Sequence, residues 1–148
     1  MILTENIVKA CNTTFPMFGY NLELLTEDED SNLNSVEEVN VLIGLSNGTQ
    51  GNMIISLNKK TALRIISAMM GGMEIKEIDN MGESALGELA NILIGSVVSG
   101  IATDKQIDLS PPTIATGQDM YIMISNIPAQ KLKFKIAEDH LYISYAIQ

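Results

Sequence analysis

Val39-Asn-Val-Leu-Ile-Gly-Leu45 and Met53-Ile-Ile-Ser-Leu57, joined through Ser46–Gly51, decide the fold. In the first run Val39, Val41, Ile43 and Leu45 alternate with Asn40, Leu42 and Gly44. Met53, Ile55 and Leu57 keep the same period of two. Successive strand side chains point to opposite faces, so both runs predict strands with one buried face. Asn47-Gly48 marks a turn between them, in a loop longer than two residues, and the unit reads as a β-hairpin. From Asn58 to Met70 the period changes to that of a helix. Gly71-Gly72 ends it, because glycine takes the left-handed backbone of a helix stop without a Cβ penalty.

Outward from this unit, residues 4–19 read as a helix with Ile7, Val8, Ala10 and Cys11 near one side, Thr4 as N-cap and Gly19 as stop. Asn80 to about Ala102 is the longest predicted helix. Asn80 with Glu83 has the spacing of a capping box, and Pro111-Pro112 sit well beyond its end. Strands are predicted at 120–126, 131–137 and 141–147. In the second of these Leu132, Phe134 and Ile136 alternate with Lys131, Lys133 and Lys135, so the lysines form a solvent face. Glu138-Asp139-His140 reads as a tight connection. The order is α-β-β-α-α-β-β-β: one α/β domain of the α+β type over residues 1–148, a mostly antiparallel sheet with helices packed against it. Residues 26–38, TEDEDSNLNSVEE, read as a solvated acidic loop. As a calcium loop they fail where Leu33 replaces the turn glycine and Val39 the bidentate glutamate.

Of the 148 residues, 46% are hydrophobic and 18% charged, which excludes global disorder. A folded chain of this mass exposes roughly 7,400 Å² against about 23,000 Å² unfolded, enough burial for a core without staples. Lys and Arg total 9 and Asp and Glu 18, a net charge of −9, which argues against nucleic acid as a partner. One cysteine, Cys11, permits no internal disulfide. With one histidine, His140, it cannot assemble a Cys/His zinc site. The N-terminus lacks a signal-peptide pattern, and the apolar stretch from Leu89 to Ala102 is broken by Asn91, Ser96 and Ser99. The expectation is a cytoplasmic protein with no membrane partner and no metal or cofactor of its own. Met69, Met70 and Met73 cluster after the second helix, either as packing or as an adaptable binding surface.

The long helix carries the one unusual pattern. At 100° per residue, with Ser84 at zero, Glu88, Asn91, Gly95 and Ser99 all fall within about 60° of it. Leu86, Leu89, Ala90, Leu93 and Val97 crowd the opposite side, so the core face is complete. The outer face holds a small hydroxyl, an acid and an amide, and the helix carries Gly87 and Gly95, each costing about 1 kcal/mol relative to alanine. Something must approach this backbone closely, either a partner or another element of the same chain. The one histidine, His140, lies far along the chain, and Ser84 without such a base is a poor nucleophile. An amide cannot act as a base at neutral pH, but it donates and accepts at once. That suits Asn91 to orienting a water at an already activated phosphoryl group.

Ser84-Ala-Leu-Gly-Glu88-Leu-Ala-Asn91-Ile-Leu-Ile-Gly95 resembles the signature of the CheC/CheX/FliY chemotaxis phosphatases: Asp or Ser, three residues, Glu, two residues, Asn, then a proline further along. Pro111 and Pro112 come a little early for that proline. The resemblance extends over the hairpin, the second helix and the closing strands. CheC-like members carry a second copy of the motif on the first helix. Here Asn12 is preceded by Lys9 where Glu is required, so the chain is most similar to CheX. The resemblance implies hydrolysis of the aspartyl phosphate of a CheY-like receiver domain. Asn91 would orient the attacking water, Glu88 would pair with the receiver's active-site lysine, and Ser84 would border the contact, with Gly87 and Gly95 as partner-binding positions. It places Mg2+ in the receiver and implies a homodimer joined sheet edge to edge. Two alternatives stay open: a non-catalytic adaptor binding a receiver or flagellar switch component through the same helix, and a small-molecule-binding domain with a pocket at Met69, Met70 and Met73.

Overall fold

The hairpin is the centre of the sheet. In the computed structural model, which describes residues 2–101 and 104–148, β3 (Val39–Asn47) and β4 (Gly51–Leu57) pair antiparallel with Val39 opposite Leu57 and Ile43 opposite Met53. Val39, Val41, Ile43, Met53, Ile55 and Leu57 are all buried on one face, as their period requires. β4 continues to β9 (Asp139–Ile147) and β9 to β8 (Ala129–Ile136), with Ala137 in the left-handed region at the turn between them. β8 ends against β1 (Leu22–Asp30). On the other side of β3 lie β5 (Ile107–Leu109) and β6 (Thr113–Thr116), one after the other along its length. Among the described residues these strands form one antiparallel sheet of seven.

Three helices cover one face. α1 (Ile2–Thr14) runs into a short 3-10 turn, Phe15–Phe18, and stops at Gly19, left-handed at φ 84°. α2 (Lys59–Met69) is capped by Asn58, whose side chain accepts from the Thr61 amide. α3 (Asn80–Ser99) buries Leu86, Leu89, Ala90, Leu93, Ile94 and Val97. Ile7, Cys11 and Phe15 meet them in a core shared with the sheet. Burial in that core pushes the Cys11 thiol up to about 12. The opposite sheet face is partly roofed by a ribbon of β2 (Leu33–Ser35) and β7 (Ile122–Ser125), where Leu33 packs with Ala129 and Ala146.

The expected α+β architecture is the observed one, with four strands added to the expected order: β1, β2, β5 and β6. The acidic loop at 26–38 is corrected, because most of it is β-structure. β1 is an edge strand exposed over nearly its whole length, so no apolar alternation marks it. It pairs with the lysine strand, Glu23 opposite Lys135 and Asp28 opposite Lys131, so opposite charges face each other across the ladder. The expected N-caps also move. Thr4 lies inside α1, and its hydroxyl donates to Glu27 (2.9 Å) and bonds the Tyr145 hydroxyl (3.0 Å). Asp79, not Asn80, caps α3 by accepting from the Gly82 amide (2.9 Å). The expected helix end near Ala102 lies outside the described residues.

Candidate functional site

α3 is held at its start by Asp79 and along its inner side by the core, so its outer face is fixed in orientation. On that face Ser84, Glu88 and Asn91 are all exposed. Their i, i+4, i+7 spacing stacks them in one stripe, with neighbours about 6 Å apart between Cβ atoms. The sequence reading of this face therefore holds: three short polar groups project side by side from a rigid helix.

An open groove of about 540 Å³ runs beside the stripe, lined by Asn80, Glu83, Ser84, Gly87, Glu88, Asn91, Pro112 and Ile114. Pro112 is the residue that sequence spacing undervalues. It enters because β5 and β6 both lie along β3, and Ser110 between them is bonded to Gly44 through backbone and side chain (2.8 Å each). Beyond that clamp Pro112 lies against Gly87 of α3.

The two glycines differ. A Cβ on Gly87 would lie 3.0 Å from Pro112 Cγ, so the chain itself comes close there, while Gly87 also lines the groove beside the stripe. A Cβ on Gly95 would meet nothing within 4 Å among the described atoms, so this stretch of helix backbone is bare.

A second groove, about 420 Å³, lies along the stripe and is lined by Met69, Met70, Asn80, Met81, Ser84, Ala85 and Glu88. Met69 and Met70 also pack on the core, whereas Met73 is exposed and outside this groove. The pocket anticipated from Met69, Met70 and Met73 is thus formed with Met81 instead. On α1, Lys9 and Asn12 are both exposed, so the position matching Glu88 carries the opposite charge. Among the described residues no helix is long and apolar enough to cross a membrane.

Chemically, the site offers one carboxylate, one amide and one hydroxyl on an open surface. It has the means to orient a water and meet a cation, and no nucleophile–base pair. Comparison with known proteins agrees in region and fold. The family model described as chemotaxis phosphatase CheX matches residues 39–134, which include the whole stripe and Pro112. The CheY-P phosphatase CheX of Thermotoga maritima is 40% identical over 82 residues, 55% of this chain and 53% of that protein, so the chain spans about half the length of this curated relative. A crystal structure of a chemotaxis protein CheX from Desulfovibrio desulfuricans superposes with a TM-score of 0.86 at 18% identity, covering 100% of both chains. The CheX of a CheX–CheY–BeF3–Mg2+ complex from Borrelia burgdorferi gives 0.82 at 22% identity, covering 99% of this chain and 96% of that one. With the matched segment spanning hairpin, site helix and groove wall alike, the chain belongs to the chemotaxis phosphatase CheX family.

Proposed function

We propose that this chain hydrolyses the aspartyl phosphate of a CheY-like receiver domain. The observation that carries the reading is the exposed Ser84–Glu88–Asn91 stripe on a rigid helix within the family-matched segment. The relative from Thermotoga maritima, named as a CheY-P phosphatase, supports the substrate class. So does the receiver in the Borrelia burgdorferi complex.

A phosphoryl-aspartate is already activated, and the receiver supplies its own Mg2+. The phosphatase then needs to place one water in line and hold it there. Asn91 does this: its carbonyl oxygen accepts from the water, and its NH₂ fixes a second group. Glu88 meets the receiver's active-site lysine, and Ser84 borders the contact. Gly95 leaves bare backbone where the receiver closes over the helix. Pro112 forms the opposite wall of the groove. A homodimer joined at sheet edges is part of the same proposal.

Asn91→Ala tests it and separates phosphatase from adaptor. Single-turnover decay of the phosphorylated receiver is measured beside a binding titration with the beryllofluoride-activated receiver. Hydrolysis should fall by orders of magnitude while binding stays within a few fold. Full hydrolysis by folded Asn91→Ala sinks the assignment, and parallel loss of binding moves Asn91 from chemistry to recognition.

A further inference from the structure

Two stripes run along the outer side of α3 and cross at one residue. Ser84, Glu88, Asn91 and Gly95 form the first at i, i+4, i+7 and i+11. Met81, Ala85, Glu88 and Ile92 form the second at the same spacing. The two grooves beside the helix share Asn80, Ser84 and Glu88. Glu88 therefore stands on a ridge between a groove holding Asn91 and Pro112 and one floored by methionines. Met81 is 65% exposed, while Met69 and Met70, which line the same groove, pack on the core.

We propose that the methionine groove is the affinity half of the docking site, seating an apolar side chain of the phosphorylated receiver next to its phosphoryl-aspartate. This rests on the phosphatase reading above. The reacting groups alone give little affinity: a charge pair desolvated at Glu88 on docking roughly breaks even against its own desolvation, even though removing one partner is costly. The long-range field opposes the encounter, because a phosphorylated receiver brings anionic groups to a chain of net charge −9. Short-range apolar burial has to supply the difference, and methionine side chains adapt to an irregular partner surface. The occupant follows from continuity with the site. Ser84 and Glu88 line this groove, so a second copy seated there permanently would cover the carboxylate that the reaction uses.

Met81→Ser in the full chain tests it, with KM and kcat for the phosphorylated receiver and Kd for the beryllofluoride-activated receiver. For Met81→Ser, KM and Kd should rise about tenfold or more, as for one large apolar side chain left in water. The maximal hydrolysis rate should stay unchanged, and Met81→Leu should restore binding. Wild-type KM and Kd in Met81→Ser overturn the docking proposal and leave the phosphatase reading standing. Met81-dependent binding by a wild-type chain that hydrolyses nothing overturns the phosphatase reading and keeps the dock. A Met81→Ser change in sedimentation with unchanged Kd gives the groove to a second copy and overturns the proposal. No receiver binding by the wild-type chain overturns both.

Discussion

Gly95 and Gly87 sit on one helix with opposite surroundings, and the same substitution should read differently at each. Gly95 has open space at its would-be Cβ. Gly95→Ala should raise stability by about 1 kcal/mol, a rise in Tm of about 2–4 °C for a chain of this size, while weakening receiver binding. Gly87→Ala places a methyl 3.0 Å from Pro112 Cγ. Displacement of Pro112 should offset the helix gain and lower hydrolysis, which melting and turnover measured together would reveal. At Glu88, charge is the variable. Glu88→Lys should abolish activity by repelling the receiver lysine and Glu88→Gln should weaken it, since losing one partner of a desolvated pair costs about 2–5 kcal/mol. Normal turnover by Glu88→Lys would reject that role. Ser84, Glu88 and Asn91 were legible in the sequence because helical spacing is a property of the chain itself. Pro112 was not: its place depends on the bonds between Ser110 and Gly44. The element that approaches Gly87 was not legible for the same reason, since it is set by a tertiary contact.

Strands with a sustained apolar pattern in sequence were legible, the little-buried β7 among them, and those without one were not. β3, β4 and β8 show their period because the core takes every second residue. β1 has no buried face, and β2, β5 and β6 are only three or four residues long. What β1 carries instead is charge. Lys131→Glu would set like charges opposite Asp28 and remove the cation that helps hold the Asp30 carboxyl, already stabilised mainly by Asn34, below its usual range. A loss of about 0.2–1 kcal/mol is expected, shrinking as salt rises. A second tie joins α2 to the sheet. Asn58 Oδ1 caps the helix while its Nδ2 donates to Asp139 on β9 (2.9 Å). Asn58→Ala should cost about 1–2 kcal/mol in chemical denaturation. The Asn58 bond, followed by the His140 amide, holds the Asp139 carboxyl below its ordinary value of 3.8. Its contribution is therefore present above pH 3.8 and is lost as pH falls through the lowered folded value. Asp139→Asn should remove that part of the acid-side loss, readable in melting temperature against pH.

For the molecule as a whole, the proposed homodimer has unequal edges to choose from. β1 presents Glu23, Glu27, Asp28, Glu29 and Asp30, so two copies meeting there would set acid against acid. The β5–β6 edge is uncharged apart from Asp108 but is interrupted by Pro111-Pro112, which lack amide donors. Sheet joining should therefore use β6, and Glu29→Lys on β1 should leave sedimentation unchanged. A monomer at tens of micromolar, a concentration chosen for the test, would count against the dimer. The buried thiol of Cys11 has a practical consequence for such measurements. Held protonated up to about 12 and sealed among α1, α3 and the sheet, it stays silent toward maleimides at neutral pH. A fluorophore attached through Ser96→Cys, on the exposed side of α3, would then be the only label on the chain, and its emission would report each receiver arriving at and leaving the helix.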